Sequence, residues 1–137
     1  MSREPEITIV GMGYVGLTLA ATLADLGFTV FGYEREPAVV QRLNEGLSHI
    51  FEPGIDDILQ STIGRNLTVE QQLPEAISGA VVICVSTPVG ADQTPDLTNL
   101  RAATKAVAEA ATEATLVIVR STVPVGTCRD VVLPILE

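Results

Sequence analysis

The chain has 137 residues, of which 47% are apolar and 18% are charged, and its formal net charge is −9. This length suits one compact domain, and the apolar content excludes low-complexity disorder. Seventeen acidic residues against eight basic ones repel phosphate backbones and anionic membranes, so we expect neither a nucleic-acid partner nor membrane association.

Short β-rich runs alternate with helical patterns along the chain, which predicts a parallel sheet covered by helices. The run at 80–85 is apolar on both faces and is expected inside the sheet, and Pro134 is expected to kink the last helical segment. The predicted elements are, in chain order, a strand at 7–10, a helix to about 26 that ends at Gly27, a strand at 29–33, a helix from 37 to 46, a short helix from 55 to about 64, a weak strand at 67–69, a poor helical segment at 71–78, a strand at 80–85, a helix around 97–111, a strand at 116–119 and a helical segment at 125–137.

These elements predict an α/β fold of the Rossmann type: a doubly wound parallel sheet of five strands with helices on both faces. The expected strand order is 3-2-1-4-5, with a ligand lying across the carboxyl edge where the order reverses. The spacing of large apolar residues predicts the buried stripe of the first helix at Val15, Leu19, Leu23 and Leu26.

The segment Gly11-Met-Gly-Tyr-Val-Gly16 matches the pattern G-x-G-x-x-G directly after a predicted strand and at the start of a predicted helix. Gly11 permits the tight turn, Gly13 lets the main chain approach a pyrophosphate, and Gly16 allows the helix to pack on its strand. The positive end of the helix dipole then faces the anion. This combination predicts dinucleotide binding.

Glu34 ends the second predicted strand, where its carboxylate can accept two hydrogen bonds from the ribose hydroxyls of adenosine. The same carboxylate repels a 2′-phosphate, so we expect NAD rather than NADP as the cofactor. Arg35 lies next to this acid and is a second candidate cofactor-binding residue, although a cation at that position weakens the preference against a 2′-phosphate.

Cys84 and Cys128 are too few for a disulfide framework, so the expected compartment is the reducing cytoplasm. Cys84 lies in an apolar run and is interpreted as part of the core, whereas Cys128 is interpreted as a structural thiol rather than a nucleophile. The uncharged stretch at 7–24 contains three glycines and follows an acidic flank. We therefore interpret it as neither a membrane span nor a signal peptide, and we expect a soluble protein.

Further motifs follow predicted strands or helices at the same sheet edge. They are Gly46-x-x-x-Ile50-x-Glu52-Pro-Gly54, Val85-Ser-Thr-Pro88 with Pro95-Asp-Leu97, and Ser121-Thr-Val-Pro-Val-Gly-Thr127. In their combination, order and spacing the sequence resembles the N-terminal part of the UDP-glucose/GDP-mannose dehydrogenase family. The resemblance covers essentially the whole chain.

This resemblance implies an enzyme that oxidises the C6 hydroxyl of a nucleotide sugar to a carboxylate in two NAD-dependent steps, through a covalent adduct on a cysteine. It implies that residues 1–137 are the NAD-binding domain of a longer, homodimeric enzyme whose central helix, catalytic cysteine and C-terminal domain lie outside this chain. The chain alone is then expected to bind NAD without turning over. Which nucleotide sugar is oxidised is not defined by these residues.

The resemblance also assigns roles to individual positions. Tyr14 and Val15 are expected at the pyrophosphate turn, Glu34 at the adenosine ribose, Thr87 near the nicotinamide half of the cofactor, and Thr122 as the residue that contacts the cofactor and supports the catalytic water. A hydroxyl at a strand end can orient a ribose or a water without adding charge. Turn formation is the alternative role for both threonines.

Several alternatives stay open at this point. The family has a basic residue five positions after the ribose-binding acid, and Val39 occupies that position here, which leaves Arg35, Arg42 or no residue to replace it. Ser121 and Thr127 are interpreted as caps. No metal site is expected, because the acidic residues near His49 lack a ligand spacing. The competing functions are a free-standing nucleotide-binding module and another Rossmann oxidoreductase, such as a β-hydroxyacid dehydrogenase.

Overall fold

The computed structural model describes residues 4–137 and contains five short parallel strands. They are β1 (Ile7–Val10), β2 (Val30–Tyr33), β3 (Leu67–Glu70), β4 (Ala80–Ile83) and β5 (Leu116–Val119). The strands pair in the order β3-β2-β1-β4-β5, and every pair is parallel. This confirms the predicted fold class and strand order.

Helices cover both faces of the sheet. They are α1 (Tyr14–Asp25), α2 (Pro37–Asn44), α3 (Ile55–Thr62), α4 (Thr98–Ala110), a π-helical turn (Cys128–Val132) and α5 (Leu133–Leu136). One apolar core joins Ile9 and Val82 of the sheet to α1, α2 and α3. A second core on the opposite face joins Val10 and Val81 to α4 and to the C-terminal segment. The doubly wound arrangement therefore follows from two separate apolar layers, one on each side of the sheet.

The predicted buried stripe of α1 is wrong. Val15 is 44% exposed and Leu26 is 70% exposed, while Leu19 and Leu23 are only partly buried. The buried residues of this helix are instead Gly16, Leu17, Ala20, Ala21 and Ala24. These positions also follow the helical period, and all of them except Leu17 are glycine or alanine, whose small size lets α1 lie close to the strands. Leu19 and Leu23 border this buried set and pack against the core from its edge.

Two other predicted elements differ from the structure. Residues 71–79 form no helix; Pro74 interrupts the segment, and the amide of Ile77 donates to the carbonyl of Ala110 over 2.8 Å in an isolated bridge. At the C-terminus the helical backbone begins only at Cys128, and its first turn has π geometry ahead of Pro134. The wider turn accommodates the proline that the sequence predicts as a kink.

The entry into α1 depends on a contact between two glycines. A methyl group at Gly16 would overlap with the backbone carbonyl of Gly11, whereas a methyl group at Gly13 would meet no atom within 4 Å. Gly16 therefore permits the helix to begin directly against the turn after β1. The backbone at Gly13, with φ −74° and ψ −162°, is one that alanine also adopts.

We expect Gly16→Ala to lower the free energy of unfolding by about 3 kcal/mol, because the helix must move away from the turn to make room for the methyl group. Urea denaturation measures this loss. Gly13→Ala is the matched control and is expected to change stability by less than about 0.5 kcal/mol. Equal unfolding midpoints for the two variants would contradict the packing role of Gly16.

Candidate functional site

A cleft of about 480 Å³ opens at the carboxyl edge of the sheet, around the point where the strand order reverses. Open α/β sheets bind their ligands at such a point. Eight of the nine residues predicted to bind the cofactor line this cleft: Gly11, Gly13, Tyr14, Val15, Glu34, Arg35, Thr87 and Thr122. The ninth, Gly16, is buried beneath the turn. The structure thus brings the predicted residues together at one place.

At one position of the glycine turn, the fold itself does not require a glycine. Gly11 has φ +96°, and a Cβ there would lie 3.1 Å from the carbonyl oxygen of Cys84. Gly13 has no such constraint, because its backbone is extended and a Cβ would point into open space. That space belongs to the cleft. The missing side chain at Gly13 therefore fits a ligand whose surface comes close to the backbone.

The first turn of α1 presents free backbone donors to the cleft. The amide of Leu17 donates to the carbonyl of Gly13 over 2.8 Å. Among the residues that the structure describes, the amides of Tyr14, Val15 and Gly16 have no acceptor. No acidic side chain occupies this first turn. Free amides and the positive end of the helix dipole together favour an anion, and a pyrophosphate fits both.

Glu34 is fixed at the adjacent strand end by two backbone donors. Its Oε2 accepts a hydrogen bond from the amide of Met12 at 3.0 Å, and its Oε1 accepts one from the amide of Glu36 at 3.2 Å. Each carboxylate oxygen can accept a further hydrogen bond. The acid is thus oriented beside the glycine turn, with acceptor capacity left for hydroxyl groups of a ligand.

The structure distinguishes between the candidates for a basic residue near Glu34. Val39 packs against the apolar core on the α1 face, and the guanidinium of Arg42 donates to the carbonyl of Ser48 over 2.8 Å. Arg35 lines the cleft, where its Nη1 donates to Oδ1 of Asn99 over 3.3 Å. Of the alternatives that the sequence left open, Arg35 is therefore the one that the structure places in the cleft.

Hydroxyl side chains connect the loops after β4 and β5. The Oγ1 of Thr87 donates to the carbonyl of Thr122 over 2.6 Å, and the Oγ of Ser121 donates to the carbonyl of Val85 over 2.7 Å. Thr127 Oγ1 donates to the carbonyl of Pro124 over 2.7 Å. Thr127 does occupy the N-cap position of the turn at Cys128–Val132, although its side chain makes no capping hydrogen bond. The interpretation of Ser121 as a cap is wrong, because its hydroxyl donates to a loop carbonyl instead of accepting from a helical amide.

The polar residues of the cleft that sequence reasoning missed are Tyr33, Asn99 and Arg120, and one thiol was misplaced. Asn99 is the second residue of α4, and its amide donates to Ser86 Oγ over 3.0 Å. Arg120 directly follows β5. The position of Arg120 at a carboxyl strand end was a usable signal, whereas nothing in the sequence indicates the direction in which Asn99 points.

The sequence predicts that Cys84 is part of the core, but the structure does not confine it there. It packs on the apolar layer and also lines the cleft. Burial raises the pKa of the Cys84 thiol, and the charge of Arg120 opposes this effect. The thiol is therefore protonated and inert at neutral pH. The other cysteine, Cys128, is exposed, and the guanidinium of its neighbour Arg129 is engaged by Asp130 at 2.8 Å.

Tyr14 links the glycine turn to the loop at 47–54. Its phenol donates to Oε2 of Glu52 over 2.5 Å. This hydrogen bond and the negative charge of Glu52 raise the pKa of Tyr14, because both favour the neutral phenol. The Glu-Pro-Gly motif thereby holds its loop against the first residue of α1.

Within residues 4–137, no group of three or more His, Cys, Asp and Glu side chains lies close enough together to hold a metal ion. None of the helices in that range has the length and apolar character needed to cross a bilayer.

The fold and the cleft together define a dinucleotide-binding Rossmann domain. Residues 5–137 match the family model described as "UDP-glucose/GDP-mannose dehydrogenase family, NAD binding domain". The chain belongs to this family, as its motifs predict, and NAD is its cofactor. Membership also decides against the alternative of a different class of Rossmann oxidoreductase.

Curated relatives and solved structures agree with this assignment. The chain is 37% identical to UDP-N-acetyl-D-mannosamine dehydrogenase of Pyrococcus horikoshii over 89% of its own length and 29% of the relative's. It is 38% identical to UDP-glucose 6-dehydrogenase of Pseudomonas aeruginosa, over 92% and 28%. The solved GDP-mannose dehydrogenase of Pseudomonas aeruginosa superposes with a TM-score of 0.87 at 30% identity, over 96% of this chain and 32% of that one. The chain thus spans less than a third of the length of these proteins.

We expect Glu52→Gln to lower the pKa of Tyr14 towards its ordinary value, because the amide removes the negative charge that favours the neutral phenol. The ultraviolet absorbance of tyrosinate during alkaline titration measures this shift. A Tyr33→Phe background leaves Tyr14 as the only tyrosine. Glu36→Gln, an exposed acid at the start of α2, is the control, and equal midpoints for the two Gln variants would contradict the contact.

Proposed function

We propose that this chain is the cofactor-binding part of a nucleotide-sugar 6-dehydrogenase that oxidises a C6 hydroxyl to a carboxylate in two NAD-dependent steps. The observation that carries the proposal is the open space at Gly13 in front of the free amides of α1. The named relatives support the class of substrate, since they are dehydrogenases of UDP-glucose, UDP-N-acetylmannosamine and GDP-mannose.

The first step of binding concerns the diphosphate. In our proposal the amides of Tyr14 and Val15 donate to its oxygens, while Gly11 and Gly13 keep side chains out of the way. Helix N-termini bind phosphates in this manner because their donors and the helix dipole act in the same direction. The overall charge of −9 opposes the approach of this anion, so the binding energy comes from local donors.

The adenosine end is assigned to Glu34 and Arg35. The carboxylate of Glu34, already oriented by the amides of Met12 and Glu36, accepts hydrogen bonds from both ribose hydroxyls. Arg35 borders the same part of the cleft through its contact with Asn99. The acid selects against a 2′-phosphate by charge repulsion, and we propose that this repulsion outweighs the attraction of Arg35.

The nicotinamide end is assigned to the loops after β4 and β5. NAD, when bound, supplies the hydride acceptor for both oxidation steps. The hydroxyl of Thr87 donates its hydrogen bond to the carbonyl of Thr122, so its oxygen is oriented to accept a hydrogen bond from a ligand. Among the described residues the hydroxyl of Thr122 has no partner while it lines the cleft. We assign to it the orientation of the catalytic water.

The covalent step needs a thiolate, and neither cysteine of this chain suits it. The Cys84 thiol has a raised pKa, and Cys128 lies on the surface without a free cation beside it. In our proposal the nucleophile belongs to residues outside these 137, in a homodimeric cytoplasmic enzyme. The chain then binds NAD and does not turn over by itself.

We expect Gly13→Ala to weaken NAD binding at least about tenfold, because its methyl group occupies the space that the diphosphate needs. Isothermal titration calorimetry measures the affinity, and far-ultraviolet circular dichroism verifies that the variant is folded. Ser61→Ala, at an exposed position of α3 outside the cleft, is the control. Unchanged affinity of a folded Gly13→Ala variant would refute the proposed site.

We expect Glu34→Ala to weaken NAD binding about tenfold and to remove the preference for NAD over NADP, since it deletes both the acceptor and the repelling charge. Titrations of parent and variant with each cofactor test this. Glu36→Ala removes a neighbouring charge without touching the cleft and is expected to leave the preference intact. Equal affinity of the parent for both cofactors would defeat the role of Glu34.

A further inference from the structure

Arg120 is a cation in the cleft that the sequence motifs do not include. It lies directly after β5, and its amide donates to the carbonyl of Ile83 over 2.9 Å, so the backbone at this position is fixed to β4. Its side chain lines the cleft together with the glycine turn. The only ion pair among the described residues joins Arg129 to Asp130, and the guanidinium of Arg120 has no hydrogen-bond acceptor in the same part of the chain. Its charge is therefore available to a ligand.

The alternation of β5 gives the direction of this side chain. Val117 and Val119 pack into the core on the α4 face, so Leu116, Ile118 and Arg120 belong to the opposite face of the strand. That face carries α1. Arg120 therefore extends the α1 side of the sheet edge, the side from which the free amides of the first helical turn reach the cleft.

Cys84 connects Arg120 to the glycine turn in space. A Cβ at Gly16 would lie 3.3 Å from the Cβ of Cys84, and a Cβ at Gly11 would lie 3.1 Å from its carbonyl oxygen. Cys84 thus directly adjoins the turn. The charge of Arg120 acts on the thiol of the same residue. The guanidinium and the amides of α1 consequently face one space from two sides.

The charged groups around the cleft favour a role for Arg120 in binding an anionic ligand. Of the basic residues that the structure describes, only Arg35 and Arg120 line the cleft. Arg35 is at the ribose end beside Glu34. The carboxylates of Glu34 and Glu52 both approach the glycine turn, and the whole chain is strongly acidic. A cation opposite the amides would add to their attraction for a dianionic diphosphate in this space.

We propose that Arg120 binds the diphosphate of the dinucleotide from the β5 side, opposite the N-terminus of α1. The guanidinium donates two hydrogen bonds to phosphate oxygens, as its planar fork allows. This assignment rests on the proposed function of the cleft, and it adds a binding residue that lies outside the glycine motif.

The test compares Arg120→Gln with Arg65→Gln, which removes the same charge from an exposed turn outside the cleft. We expect Arg120→Gln to weaken NAD and ADP-ribose about tenfold and adenosine less than about twofold, because only the first two carry the diphosphate. Arg65→Gln is expected to change all three less than about twofold. Arg120→Lys restores part of the affinity, since it returns the charge without the fork.

Salt dependence gives a second readout. Salt screens both the overall repulsion of the acidic chain and the local attraction of a cation in the cleft. Arg120→Gln and Arg65→Gln change the net charge equally, so we expect added salt to lower the NAD affinity of Arg120→Gln less, or raise it more, than that of Arg65→Gln, because one screened attraction is missing. Equal losses for Arg120→Gln and Arg65→Gln, or an equal loss for adenosine, would overturn the proposal. So would a loss for UDP-glucose with unchanged NAD binding, which assigns Arg120 to the sugar nucleotide. If the parent binds no NAD at all, the proposed function fails instead.

Discussion

The contact between Gly16 and the carbonyl of Gly11 determines the geometry of the whole site. It allows α1 to begin immediately after the turn that ends β1, so the free amides of the helix lie at the carboxyl edge of the sheet. A side chain at Gly16 would push them away from the cleft. Ala20, Ala21 and Ala24 continue the close approach along the buried side of α1. The anion site is thus a consequence of how tightly one helix packs on one sheet.

This packing also explains how an acidic protein can hold an acidic ligand. Charge repulsion between a net charge of −9 and a dinucleotide acts over the Debye length and is weakened by salt. Helix amides act at hydrogen-bond distance and need no net charge. The negative group nearest the turn, Glu34, is itself held by two amide donors. The local field in the cleft therefore differs from the field of the molecule.

The sequence alone predicts a large part of this arrangement and fails where tertiary packing decides. The bounds of β1 and β5 and the strand order are confirmed, and eight candidate residues lie in one cleft. The predicted buried stripe of α1 is wrong at Val15 and Leu26 and only partly right at Leu19 and Leu23, because the close approach to the sheet buries Leu17 and otherwise only glycine and alanine. The segment around Ile77 shows a similar limit, since its bridge to Ala111 depends on a residue far along the chain. Asn99 was missed because a single polar residue carries no pattern, whereas the position of Arg120 after a predicted strand was a signal that was not used.

Residues of the family motifs form hydrogen bonds with one another, which gives them a structural role apart from any role in the reaction. Glu52 of the first motif contacts Tyr14 of the glycine turn, and Thr87 and Val85 of the second contact Thr122 and Ser121 of the third. Residues more than thirty positions apart thus form hydrogen bonds at one sheet edge. Each bond fixes a loop that connects a rigid strand or helix to the cleft, so the lining is preorganised before a ligand arrives. The motifs therefore specify the shape of the cleft.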